Sequence, residues 1–159
     1  MELIVQKAVE LGAAAIVPVQ MSRCVMKLDG KDAVRKQERW QKIAREACKQ
    51  SGRCLTPEVE LPITMKTMLA RMAQHQLVLI PWEDAHTVSL TRIRQEHPGA
   101  SELAVVIGPE GGMSQEEVSA MEEKGGMSVT LGPRILRTET AGLAALSALF
   151  CLWGDMEGS

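Results

Sequence analysis

The chain has 159 residues, long enough for one domain with a sizeable core, and its 45% hydrophobic and 24% charged composition is that of a globular protein. A net charge of −2 excludes a uniformly basic nucleic-acid binder, and three Trp, one Phe and no Tyr leave few platforms for stacking single-stranded bases. No signal peptide and no apolar span long enough to cross a membrane is found in the sequence, so a soluble, cytoplasmic protein with no membrane partner is expected.

Leu3, Ile4, Lys7, Ala8 and Leu11 space as an amphipathic helix that stops at Gly12, and the β-rich run 13–19 follows as a strand. Residues 22–34 are polar and irregular. From Asp32 to Ser51 the pattern is strongly helical, with Trp40, Ile43, Ala44, Ala47 and Cys48 on one stripe and Gly52 as the stop. Residues 54–62 read as extended, 64–75 as a helix and Leu77–Pro81 as a buried strand; a helix over 87–96 ends at Pro98-Gly99. Leu103–Ile107 is a second buried strand. Ser114-Gln115-Glu116-Glu117 has the form of a capping box and opens a helix to about Lys124. A strand over Met127–Leu131 and an Ala/Leu-rich helix over Thr140–Trp153 complete the chain, with Thr138 a candidate cap and Glu139 suited to the first turn. Strands alternating with helices predict an α/β fold: a mostly parallel sheet with helices on both faces.

Charge is unevenly spread. Residues 22–53 carry ten Lys/Arg, Lys27 among them, and four acids, a net of +6, while the remainder carries 8 basic and 16 acidic residues. Such asymmetry suits a patch facing a polyanion, or equally a solvated helix face. Cys24, Cys48, Cys54 and Cys151 form no C-x-x-C pair and have no His at metal spacing, so free thiols and no metal are expected. His75, His86 and His97 lie in or beside surface-like helices, which gives little support to His-based hydrolysis.

Two turns carry the chemistry: Ile107-Gly108-Pro109-Glu110-Gly111-Gly112 and Leu131-Gly132-Pro133-Arg134-Ile135-Leu136-Arg137-Thr138-Glu139-Thr140-Ala141. Each joins a buried strand to a helix and so places bare main-chain N–H groups beside a ligand. Neither is a G-x-G-x-x-G or G-x-x-x-x-G-K-[ST] loop, which argues against a nucleoside triphosphate or an NAD cofactor and for a flat, hydrogen-bonding ligand such as adenine. Arg134, Arg137 and Glu139, between a buried strand and an apolar helix, are costly to place unless paired or used.

These turns, with Glu10-Leu11-Gly12, Pro18, Ser22-Arg23 and the Trp40…Glu46-Ala47…Gln50-Ser51-Gly52-Arg53 helix, resemble the ribosomal RNA small subunit methyltransferase E family of the SPOUT superfamily over nearly the whole chain. The resemblance implies S-adenosylmethionine (AdoMet) as cofactor and N3 of a uridine in 16S rRNA of the small ribosomal subunit as methyl acceptor. It implies a homodimer and a C-terminal deep trefoil knot, an exception to the rule that chains do not thread loops. The cofactor would lie among Leu79, Ile80 and Pro81, then Ile107, Gly108, Pro109, Glu110, Gly111 and Gly112, and then Leu131, Gly132, Arg134, Ile135, Leu136 and Thr138. Arg137 is the candidate cation for a developing uridinate, with Glu139 as base or as the group that orients Arg137; a structural ion pair and a helix-capping role stand as alternatives. Arg23, Arg39, Lys42, Arg45, Lys49 and Arg53 would hold RNA. Family members normally carry an N-terminal RNA-binding domain of the PUA type. Residue 1 falls inside the expected first helix, so residues 1–159 are read as an N-terminally truncated catalytic domain. Alternatives are another SPOUT enzyme acting on ribose 2′-OH and a non-catalytic knotted RNA-binding module.

Overall fold

The computed structural model describes residues 1–25, 29–85, 88–154 and 156; Lys27, His86 and Thr87, the expected start of a helix, lie outside the described residues. The first helix, α1 (Glu2–Glu10), buries Val5, Ala8 and Val9. The long helix α2 (Gly30–Gln50) buries Trp40, Ala44, Ala47 and Cys48, most of the stripe that periodicity predicts. With Val59 these side chains form one apolar cluster, which holds the N-terminal half together. Arg53 fastens the same region. Its guanidinium donates to the carbonyls of Val9 and Ala13, both at 2.8 Å, and so satisfies acceptors at and beyond the end of α1.

The strand expected over 13–19 is split into β1 (Ala15–Ile16) and β2 (Val19–Gln20). Pro18 lies between them and has no N–H for a ladder. Its carbonyl accepts from Ile63 N–H at 2.9 Å. Each piece finds its own parallel partner: β1 pairs with β3 (Glu58–Val59) and β2 with β4 (Ile63–Thr64). Thr64 then caps α3 (Met65–Arg71) through its side chain, and a 3₁₀ turn over Met72–Gln74 ends the expected helix early.

The centre of the molecule is a parallel sheet of β5 (Leu77–Pro81), β6 (Leu103–Val105) and β7 (Met127–Val129) in the order β6-β5-β7. Among the described residues the expected single sheet is therefore three small ones, all of them parallel. Strand β5 is an unbroken apolar run because both of its faces are covered. Val78 and Ile80 enter a cluster with Met21, Met68, Met72, Met113, Val118 and Met121. Leu77 and Leu79 enter the opposite one with Leu90, Ile93, Val129 and Leu149. Five flexible thioethers fill the first cluster, so methionine does there the packing that aromatics do elsewhere.

Helix α4 (Leu90–Glu96) lies on the leucine side and α5 (Gln115–Glu122) on the methionine side. The connections leaving β5 and β6 thus turn to opposite faces, which opens a crevice at the carboxyl ends of the strands. The last helix, α6 (Thr138–Trp153), follows β7 and packs against α4 and α1. A Cβ on Gly142 would lie 3.8 Å from the side chain of Ile107, so α6 runs beside the exit of β6. Gly12 has φ +105 and a Cβ there would come 2.7 Å from the Phe150 ring, so only glycine lets the end of α1 meet α6.

Candidate active site at the ends of three parallel strands

Because β6, β5 and β7 run parallel and adjacent, their carboxyl ends share one edge, and the segments expected to line a ligand all leave from it. Leu79 and Ile80 are fully buried, with side chains on opposite faces of the sheet, so neither presents a side chain to a ligand. Pro81 is half-buried and pairs with Val129.

The turn after β6 is held by its own geometry. Gly112, at φ +71, donates its N–H to the Pro109 carbonyl at 2.9 Å. A Cβ on Gly108 would come 2.8 Å from Met113, which is buried beneath the turn. Ile107, Gly108, Pro109 and Gly112 are half-buried, while Glu110 and Gly111 are exposed. The Gly111 side-chain direction points at Arg23, 3.0 Å from that residue's Cβ, and not into an open pocket. Among the described residues, the N–H groups of Gly108, Glu110 and Gly111 meet no acceptor.

In the second turn, Gly132 has φ +104 and open space where a Cβ would stand. Its N–H is held by Thr130 Oγ1 at 3.1 Å. The N–H groups of Leu131, Arg134, Ile135 and Leu136 find no acceptor among the described residues. Ile135 is 85% exposed, while Leu131, Leu136 and Thr138 are half-buried. Arg134 and Arg137 are exposed, which corrects the expectation that placing them is costly: water solvates both guanidinium groups here. Neither they nor Glu139 form an ion pair or side-chain hydrogen bond among the described residues. Arg137, not Thr138, is the N-cap of α6, and it caps through main chain alone, its carbonyl accepting from Ala141 N–H at 2.7 Å. Glu139 is half-buried in the first turn.

The cations expected to hold RNA separate into kinds. Lys42 and Arg45 are exposed on α2 and have no partner among the described residues. Arg39 pairs with Glu2 at 2.8 Å and Lys49 with Glu46 at 3.1 Å, both pairs at the surface. Arg53 is a correction: its guanidinium is turned inward on the Val9 and Ala13 carbonyls. Arg23 is another. It lies against the glycine turn, donating to the Gly111 carbonyl at 3.3 Å.

Glu117 escaped notice as a residue of the site. It forms the expected capping box with Ser114, and it also accepts from Ser22 N–H at 2.8 Å. Burial pushes its carboxyl up, but the N–H groups of Ser114 and Ser22 outweigh burial and hold it below the usual carboxylate range, with the Arg23 charge adding to them. The S-x-x-E spacing reveals the cap; nothing local could reveal a bond to a residue 95 positions away.

An open groove of about 880 Å³ lies elsewhere, between α1 and α2, lined by Leu3, Lys7, Lys42 and Glu46 among others. Volume does not locate the site here. The strand ends carry the unpaired main-chain donors, and those are what a ligand needs.

Residues 1–150 match the family model of the RNA methyltransferase domain. The chain is 43% identical over 153 residues to ribosomal RNA small subunit methyltransferase E of Bacillus subtilis, covering 94% of this chain and 60% of that protein. It is 34% identical to the Mycobacterium tuberculosis protein of the same name, over 99% of this chain and 61% of the relative. A solved ribosomal RNA small subunit methyltransferase E from Neisseria gonorrhoeae, bound to S-adenosyl methionine, superposes with a TM-score of 0.86 at 40% identity, covering 98% of this chain and 62% of that one. A Legionella pneumophila putative methyltransferase in complex with SAM gives 0.86 at 38% identity, over 95% and 60%. The chain thus spans about three fifths of the relatives it matches. With a family match over almost its entire length and the parallel strand ends in place, the chain belongs to the RNA methyltransferase domain family.

Proposed function

We propose that residues 1–159 form a catalytic domain that uses AdoMet to methylate N3 of a uridine in 16S rRNA of the small ribosomal subunit. The observation that carries this reading is the pair of turns with unpaired main-chain N–H groups at one edge of a parallel sheet. Adenine is flat and offers ring-nitrogen acceptors at its edge, so such a row of N–H groups suits it better than a charged side chain would. Relatives named as ribosomal RNA small subunit methyltransferase E, and solved neighbours holding SAM, support the same cofactor and substrate.

When bound, AdoMet supplies an electrophilic methyl group. The chain's own residues have three tasks. Gly108, Glu110, Gly111, Leu131, Arg134, Ile135 and Leu136 would hold the cofactor through main chain and fix its direction, and positioning of this kind supplies much of the rate of an in-line transfer. Arg137, exposed at the start of α6 and free of an ion pair among the described residues, would stabilise the negative charge that develops as uracil N3 loses its proton. Glu139, two residues on in the first turn of α6, would take that proton or orient Arg137. N3 lies on the Watson–Crick edge, so the uridine must be unpaired and splayed out, with Lys42 and Arg45 on α2 holding RNA backbone.

Two further features belong to this reading. The passage of α6 beside the exit of β6 supports a knotted C-terminus, in which the last segment threads a preceding loop. Helix α6 is apolar almost throughout, yet only Gly142, Ala145 and Leu149 are buried, which supports a homodimer built on its remaining face. A cytoplasmic location follows from action on the ribosome.

The test is methylation of small ribosomal subunits with the modified nucleoside identified by mass spectrometry. N3-methyluridine is the expected product. A 2′-O-methyl nucleoside would replace this assignment, and absence of any product despite measured AdoMet binding would overturn the reading of this chain as sufficient for catalysis.

A further inference from the structure

Arg23 stands apart from the other cations of its segment. Its turn is tied down at three points. Met21 is buried in the methionine cluster with Met113 and Val118. Ser22 N–H donates to Glu117 Oε1 at 2.8 Å, and the other oxygen of that carboxylate accepts from Ser114 N–H at 3.0 Å. Arg23 itself donates from its guanidinium to the Gly111 carbonyl at 3.3 Å. One turn of chain is thereby fixed both to the glycine turn and to the first turn of α5.

The bond to Gly111 matters for a geometric reason. The peptide unit between Gly111 and Gly112 contributes one carbonyl and one N–H. Arg23 holds the carbonyl, and the Pro109 carbonyl holds the N–H at 2.9 Å. Both ends of that plane are fixed, so the preceding N–H groups of Glu110 and Gly111 keep one direction. Glycine-rich turns otherwise have wide conformational freedom, which must be lost on binding a ligand. Close packing reinforces the hold: a Cβ on Gly111 would come 3.0 Å from Arg23 Cβ and 3.1 Å from its carbonyl, so a side chain here would press the Arg23 turn away. At the next residue a Cβ on Gly112 would lie 3.1 Å from the Glu83 carboxylate and 3.9 Å from the Arg23 guanidinium.

We propose that Arg23 is a positioning residue for the cofactor turn, which it pre-orders through the Gly111 carbonyl, and not a contact for RNA phosphate. The proposal rests on the reading that this turn holds AdoMet. Arg23 touches no reacting atom; it acts through the turn.

The experiment compares the wild type with Arg23→Ala and Arg23→Lys, the latter keeping the charge and the aliphatic stem while losing the planar donor. Three readouts are taken. Hydrogen exchange of residues 107–114 without cofactor should be several-fold faster in Arg23→Ala, with Arg23→Lys between it and the wild type. AdoMet affinity by calorimetry should fall about tenfold in Arg23→Ala. The salt dependence of binding to a single-stranded RNA oligonucleotide should keep its slope, where loss of a phosphate contact would lower it by about 0.7. Unchanged exchange in the turn overturns the proposal, as does a lowered salt slope fully restored by Arg23→Lys. If wild-type protein binds no AdoMet, the cofactor reading fails on its own, and hydrogen exchange still decides whether Arg23 orders the turn.

Discussion

At the scale of single residues, a few polar side chains do more than their local motif announces. Glu117 is one carboxylate with two duties: it closes the first turn of α5 and it anchors the Ser22 turn. Its folded-state pKa is depressed, so its contribution is present above the unfolded value of about 4.3 and is lost as pH falls through the lower folded value. Glu117→Gln is therefore expected to lower Tm at neutral pH by about 2–4 °C, from a loss of about 1 kcal/mol in capping. The gap between variant and wild type should narrow as pH falls below the unfolded value of about 4.3 and close once the depressed folded value is passed. Thermal unfolding monitored by circular dichroism across pH 3–7 checks this; a gap that stays constant with pH would show that the carboxylate's charge plays no part. The spacing of Ser114 and Glu117 made the cap legible in sequence. The bond to Ser22 was not, since it depends on where a distant turn comes to rest.

At the scale of elements, α2 shows how one helix separates structural from available charge. Trp40, Ala44, Ala47 and Cys48 are buried, and the cations lie off that stripe, as the periodicity predicts. The periodicity does not say which cations are already engaged. Arg39 and Lys49 meet acids at the surface, Arg35 pairs with Asp32 at 2.9 Å, and Lys42 and Arg45 are unpaired among the described residues. Exposed pairs of this kind contribute little to stability. Their relevance is that a phosphate would have to compete with the acid. Lys42→Glu with Arg45→Glu should therefore weaken binding of single-stranded RNA and lower the slope of log affinity against log salt by about 1.4, the value for two phosphate contacts. Fluorescence anisotropy at several salt concentrations measures it, and an unaltered slope would show that this face is only solvated. Arg53, which composition groups with these cations, is a structural staple on main-chain carbonyls.

At the scale of the whole molecule, the central question is how the last helix completes the fold. Helix α6 is apolar on nearly every side, which a helix with a solvent face does not sustain. In the single chain it buries Gly142, Ala145 and Leu149, while Leu143 and Leu146 are only half-buried. If a second copy covers that face, Leu143→Asp with Leu146→Asp should convert a dimer to a monomer in analytical ultracentrifugation and weaken AdoMet binding at least tenfold, because α6 begins at the proposed site. A variant that remains dimeric would place the interface elsewhere.

The sequence by itself determined the kinds of element and most of their order, because burial on one stripe or on both faces of a strand is written in spacing: the apolar run Leu77–Pro81, the stripe through Trp40 and the S-x-x-E start of α5 are all local signals. It also determined that two glycine turns would expose main chain, since no other residue tolerates φ +71 at Gly112 or +104 at Gly132 without strain. Only the tertiary structure decided that the strands of the described residues form three sheets, that Arg134 and Arg137 are exposed, that Arg53 turns inward on carbonyls and that Arg23 lies on the glycine turn. The physical reason is the same in each case. A charged side chain carries its donors wherever it goes, and which acceptor it meets depends on residues 40 to 88 positions away, whose distance in space no local pattern encodes.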